Sequence, residues 1–138
     1  MNIDLEHVRN SFKNDQFATT NGIVIDSVSE DCVVCGMELS ERHTNSVGGV
    51  QGGAIFTLAD FAFAVHCNLS RVCGERIGVT VGQSCSITFM KSTRGKRLTA
   101  KSICLSNGRS TPVYRICIED DLGVQVAEVL ANGFRLAL

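Results

Sequence analysis

Asp60 sits in the middle of an apolar run, and that placement is the first chemically telling feature of this 138-residue chain. The run, Ala54 to Leu69, is apolar almost all the way round, the pattern of a helix buried on every side. An ionised carboxylate there loses hydration, so its pKa should rise unless something compensates. Just ahead of it lie Gly48, Gly49, Gly52 and Gly53, interrupted by Val50 and Gln51. A helix start presents unpaired N–H groups at the positive end of the dipole, and glycine lets a ligand oxygen approach that backbone closely. Such a pair could activate water or attack a carbonyl through Asp60 while Gly52 N–H holds the developing oxyanion. The competing reading is purely structural: a tight glycine turn against a sheet and a carboxylate that caps or hydrogen-bonds in the core. A phosphate-binding nucleotide loop is excluded, because no Gly-Lys-Ser/Thr follows.

Spacing constrains how those groups could meet. Gly53 and Asp60 share a helix face but lie about 10.5 Å apart along the axis, whereas a base and an oxyanion donor must both come within about 3 Å of one reacting centre. A second copy packing its helix antiparallel would bring the Gly52 end of one chain opposite Asp60 of the other, giving two equivalent sites at a two-fold interface. A homodimer is therefore expected.

The elements that must position these residues follow from composition and periodicity. With 44% hydrophobic and 20% charged residues, 138 residues make one compact domain over 1–138. A helical segment is expected over 1–18 and the core over 19–138. The net charge of −1 argues against a phosphate-backbone binder. No apolar run reaches membrane-spanning length, and the N-terminus lacks a basic region followed by an apolar core. The seven cysteines mostly sit in apolar runs, and Cys32-x-x-Cys35 has no second ligand pair, so structural thiols without a metal and a reducing, cytoplasmic setting are expected.

Residues 3–14 carry apolar positions Ile3, Leu5, Val8 and Phe12, an amphipathic helix with Asn2 or Asp4 to cap it. Two antiparallel strands follow over 21–29 and 31–39, then a loop over 40–50 that delivers the chain to the long helix. Beyond the helix, strands over 77–89, 98–105, 112–119 and 124–134 are separated by turn signals, which predicts an antiparallel meander. The class is α+β, a long central helix wrapped by five to six antiparallel strands.

The run Asn45-Ser46-Val47-Gly48-Gly49-Val50-Gln51-Gly52-Gly53-Ala54-Ile55-Phe56-Thr57-Leu58-Ala59-Asp60 resembles the signature of hotdog-fold acyl-CoA thioesterases of the phenylacetyl-CoA (PaaI) type. In that family an Asn, a His-Gly-Gly and a Leu-Ala-Asp occur at this spacing. The likeness extends through Ser86-Ile87-Thr88-Phe89-Met90, the Gly95-Lys96-Arg97-Leu98 turn, Asn107-Gly108-Arg109 and Gly123-Val124-Gln125-Val126-Ala127, from about residue 20 to the end. It implies a hotdog fold, hydrolysis of an acyl-CoA thioester without a further cofactor, and dimers, often paired into tetramers, with sites shared between chains. It also implies that Asn45 positions the carbonyl or the water, and that a strand hydroxyl, Thr80 or Ser84 with Ser86 as a further candidate, lies near the carboxylate.

Gln51 departs from the pattern, standing where a His is usual. A Gln can donate and accept hydrogen bonds but does not titrate near neutral pH. Among the histidines, His43 reads as an exposed loop residue, His66 as a hydrogen-bonded core residue and His7 as part of the first helix. Gly53 is expected to contact substrate, and Lys91, Arg94, Lys96 and Arg109 are candidates for the coenzyme A phosphates. The alternatives are a non-catalytic acyl-CoA-binding or sensor protein, suggested by Gln51, and a purely structural partner.

Overall fold

The computed structural model describes residues 1–137. Helix α1 (Leu5–Phe12) begins at Asp4, whose carboxylate accepts the Glu6 N–H at 3.1 Å. A second short helix, α2 (Gln16–Thr20), follows under an Asp15 cap that accepts the Ala18 N–H at 3.0 Å. Its five residues are too few to show a helical period in the sequence. Strands β1 (Ile23–Val28) and β2 (Cys32–Glu38) lead through a single 3-10 turn at Glu41–His43 to the long helix α3 (Gly52–Cys67) and a last turn of helix, α4 (Leu69–Val72). Then come β3 (Thr80–Phe89), β4 (Arg97–Ser106), β5 (Val113–Asp120) and β6 (Gln125–Arg135).

The six strands form one antiparallel sheet in the order β1-β2-β4-β5-β6-β3. Only β4-β5-β6 is the expected meander; β3 pairs with β6 at the far edge and not with β4. A hairpin makes neighbours only when its turn is short. The segment from Met90 to Lys96 can cross three strand spacings, about 14 Å, because seven extended residues reach about 23 Å. The loop is fastened across the sheet, with Thr93 Oγ1 donating to Asp120 at 2.7 Å and Lys96 N–H donating to Asp121 at 2.9 Å.

Helix α3 lies across the sheet, chiefly over β2 and β4. Ile55, Leu58, Ala59, Ala62, Phe63 and Val65 enter the core, where Val33, Met37, Leu98, Ile116 and Val129 meet them. The α1 segment covers a flank through Phe12, whose ring stands edge-on to Phe61 at 6.0 Å. The helix is not buried all round within one chain. Gly53 and Asp60 are exposed, and Thr57 and Ala64 are half-buried, so a stripe along one side of α3 faces away from the sheet.

The two edges of the sheet differ. At β1, Arg9 of α1 donates from Nε and Nη2 to the Ile25 carbonyl at 3.0 and 2.9 Å, closing that edge locally. At β3, which pairs with β6 on one side, ten residues form an outer edge with no strand beside it among the described residues. A long open edge next to an open helix stripe is where a second chain can add strands.

His66 ties the C-terminal half of α3 to the sheet. Its Nε2 donates to the Glu30 carbonyl at 2.8 Å, which leaves Nδ1 to accept the Ser102 hydroxyl at 3.0 Å, and the ring packs 4.9 Å from Tyr114. Burial lowers the His66 pKa below its ordinary 6.5. The unfolded chain therefore takes up this proton first as pH falls, so stability present above the unfolded pKa is lost below it until the folded group also titrates. Melting temperature is expected to fall on acidification from pH 7 to 5, and His66→Gln should flatten that slope.

Candidate active site

The loop before α3 is built around two side-chain amides. Asn45 Oδ1 accepts the N–H groups of Val47 and Gly49, both at 3.0 Å, while its backbone exchanges bonds with Gly49 and Gly48. Gly48 sits at φ 84°, a conformation that disfavours side chains. Because a backbone N–H can only donate, these contacts fix the Asn45 oxygen toward the loop and leave its Nδ2 to donate elsewhere, on a residue that lines the cleft. Gln51 then caps α3, its Oε1 accepting the Gly53 N–H at 2.6 Å. This cap starts the helix at Gly52, two residues before the apolar run begins.

His43, expected to be solvent-exposed, is instead buried and organises the same loop. Its Nδ1 accepts the Ser40 N–H at 3.0 Å, its Nε2 donates to the Asn21 carbonyl at 2.9 Å, and its own carbonyl accepts the Gln51 N–H at 2.7 Å. Polar neighbours in sequence hid this, since the partner Asn21 lies far back in the chain.

The amides at the helix start can now be assigned. Gly53 N–H goes to the Gln51 side chain, and Ala54 and Ile55 N–H go to the Gln51 carbonyl at 2.9 and 3.3 Å. Among the described residues, no acceptor takes the Gly52 N–H. Gly52 thus presents a free donor at the positive end of α3, and Gly53, expected to bind substrate, has its N–H engaged. Gly52 lines a cleft of about 410 Å³ between the glycine loop and the end of β3. Asn45, Val50, Ile55, Phe89, Met90 and Lys91 are among its walls.

Asp60 lies eight residues further along α3, about 12 Å up the axis. It is exposed in the single chain and not enclosed by the core as its apolar context suggested, because it falls on the open stripe. Surrounding protein still shelters the carboxyl enough to raise its pKa above the ordinary 3.8, partial burial acting first and the Asp15 carboxylate second. Within one chain, then, Gly52 and Asp60 are separated.

The remaining expected residues scatter. Lys91 lines the cleft, and Arg94 lies in the loop after it. Arg109 lies in the β4–β5 turn at the opposite end of the sheet, alongside the C-terminal end of α3. Thr80 is buried at that same end, where its N–H donates to Asn68 Oδ1 at 2.8 Å and its carbonyl accepts from Asn68 Nδ2 at 3.0 Å. It fastens β3 to the helix C-terminus, away from the Gly52 amide.

Ser84 and Ser86 face the side of the sheet away from α3, in a surface depression with Leu130 and Asn132. A β-bulge between Gly82 and Ser84 resets the alternation of β3, so Cys85, Ile87 and Phe89 turn toward the helix. Burial first and the Asp60 charge second raise the Cys85 thiol pKa, so Cys85 takes the helix-facing place expected of a hydroxyl. Sequence reasoning missed Phe89 and Cys85 for this reason. The available signal was Gly82 inside a strand, a residue that often marks a bulge.

Comparison with known proteins finds relatives for the whole fold. The thioesterase superfamily model matches residues 48–127. Acyl-coenzyme A thioesterase PaaI of Escherichia coli (strain K12) is 33% identical over 126 residues, 91% of this chain and 86% of that protein. Human acyl-coenzyme A thioesterase 13 is 28% identical over 89 residues, 64% of this chain and 61% of that protein. The solved structure of the E. coli PaaI protein from the phenylacetic acid degradation operon superposes with a TM-score of 0.83 at 28% identity, covering 97% of both chains.

If Gln51 is the brace of this loop, Gln51→Ala should lose about 1 kcal/mol of stability, the usual cost of removing a helix cap, measured by urea denaturation. Gln51→His, which can still offer an acceptor, should stay within about 0.5 kcal/mol of the natural protein.

Proposed function

Because this chain belongs to the thioesterase superfamily, we propose that it hydrolyses acyl-CoA thioesters to the free acid and coenzyme A at a site shared between two copies of the chain. The observation that carries this reading is the free Gly52 N–H at the head of α3, on a residue that lines a cleft of about 410 Å³. The thioester carbonyl accepts from that amide, which strengthens its hold as negative charge develops on the oxygen. Asn45 Nδ2 is the second donor toward the carbonyl or the water. Asp60 of the other copy either supplies the base, drawing a proton from the water that attacks the carbonyl, or attacks the carbonyl itself to form a mixed anhydride that water then hydrolyses, freeing the acid and restoring the carboxylate; in both routes the coenzyme A thiolate leaves and takes a proton.

The open stripe Gly53-Thr57-Asp60-Ala64 and the unpaired edge of β3 support the assembly. Antiparallel packing of two such stripes carries each Asp60 toward the other chain's Gly52, and pairing of the β3 edges continues the sheet. A further pairing into tetramers fits the same reading. The raised Asp60 pKa suits a base, since a carboxylate of higher pKa accepts a proton more readily once ionised.

Three outcomes test the proposal. Release of free thiol from short, medium, long and aromatic acyl-CoAs is expected from the natural protein, and Asp60→Asn should lower kcat by about 10² or more while leaving the assembly folded. Sedimentation at micromolar concentration should show a dimer or larger; a monomer with full activity would defeat the shared site. The acid limb of kcat/KM should have its midpoint above 3.8, activity being lost as pH falls and Asp60 is protonated. Asp15→Asn, which keeps the cap on α2, should move that limb to lower pH.

A further inference from the structure

We propose that Phe89 determines recognition of the thiol half of the substrate, the coenzyme A arm, and not of the acyl group; this rests on the hydrolysis reading above. Phe89 is the last residue of β3 and faces the first residue of α3. A Cβ placed on Gly52 would lie 3.0 Å from Phe89 Cζ and 3.4 Å from Cε1, so the ring edge closes directly on the residue that carries the free N–H. Any carbonyl accepting from that N–H sits beside this ring.

The backbone behind the ring is fixed. Met90 and Lys91 N–H both donate to the Val126 carbonyl, at 2.8 and 3.3 Å, anchoring the end of β3 to β6. Yet the side chains there are left open: Phe89 is 53% exposed, Met90 50% and Val47, across the cleft, 88%. These three large apolar side chains give one cleft an apolar wall.

The lining of the cleft changes character as the chain leaves β3. Phe89, which closes on Gly52, and Met90 are apolar, and the next residues, Lys91, Ser92 and Thr93, are cationic and polar. Lys91 is the one charged side chain that lines it among the described residues. A ligand matching that change carries an uncharged chain next to the reacting carbonyl and negative charge further out. In a coenzyme A thioester that description fits the thiol arm, an uncharged amide chain that ends in phosphates. A simple acyl group has no anionic end for Lys91 to meet. The acyl group therefore leaves the carbonyl in the other direction, toward the open stripe of α3.

Phe89→Ala and Phe89→Leu test this with two sets of substrates. Both variants should fold, because the ring is half-exposed at a strand end, and thermal melting checks it. With acetyl-, octanoyl- and phenylacetyl-coenzyme A, Phe89→Ala should lower kcat/KM about tenfold or more by one common factor, the scale of losing one apolar contact, with Phe89→Leu in between. With S-ethyl thioesters of the same acids the loss should shrink to about twofold or less. A loss that varies with the acyl group, or one that persists undiminished in the S-ethyl esters, would overturn the assignment. Calorimetric titration with free coenzyme A separates it from the hydrolysis reading. Weaker binding in Phe89→Ala supports the assignment even if no thioester is turned over, and unchanged binding, or no binding to the natural protein, defeats it.

Discussion

A single hydrogen bond governs what the head of the long helix can do. The first amides of any helix lack partners, and here the Gln51 side chain and carbonyl take those of Gly53, Ala54 and Ile55. What remains is the Gly52 N–H, aimed by a loop that Asn45 and His43 hold closed. Capping and presentation of the donor are thus one arrangement: without the side-chain cap the Gly53 N–H would stand free beside that of Gly52. Phe89 packs close against the glycine at 52, so the residue that exposes the donor also meets the wall of the cleft.

The second constraint is the shape of the chain around α3. One sheet covers one side of the helix, and the α1 and α2 segments cover a flank, which leaves the stripe with Asp60 open. Two groups eight residues apart on one rigid rod cannot converge. The proposed site therefore calls on a second chain to bring them together. The open edge of β3 runs beside the same gap, so sheet continuation and helix apposition are compatible demands.

Much of this was legible in the residues. The apolar run from Ala54 and the glycines before it marked the helix and its entry, and the β-branched segments located the strands within two or three residues. Order in the sheet was not legible, because a seven-residue connection does not specify neighbours as a tight turn does. The face of Ser84 was hidden by the bulge at Gly82, one extra residue that inverts every later position of β3. The place of His43 was hidden because its partner, Asn21, is remote in sequence. Asp60 illustrates the limit most sharply. Its apolar neighbours predicted a raised pKa, which the structure bears out, but helical phase put it on the one stripe that this chain leaves uncovered.

The sharing of one site between two chains is tested most directly by complementation. Gly52→Pro removes the free N–H at a first helical position where proline is well tolerated, after a residue, Gln51, already extended at ψ 130°; its ring also crowds Phe89 of the same chain, damage confined to the cleft that already lacks the donor. Co-expressed with Asp60→Asn, and with each variant inactive alone, random pairing makes half the dimers mixed, each with one intact site formed from the Gly52 of one chain and the Asp60 of the other. Thiol release should then recover to about a quarter of the natural activity. Mixed dimers as inactive as either parent would contradict the account, placing Gly52 and Asp60 of the same chain in one site.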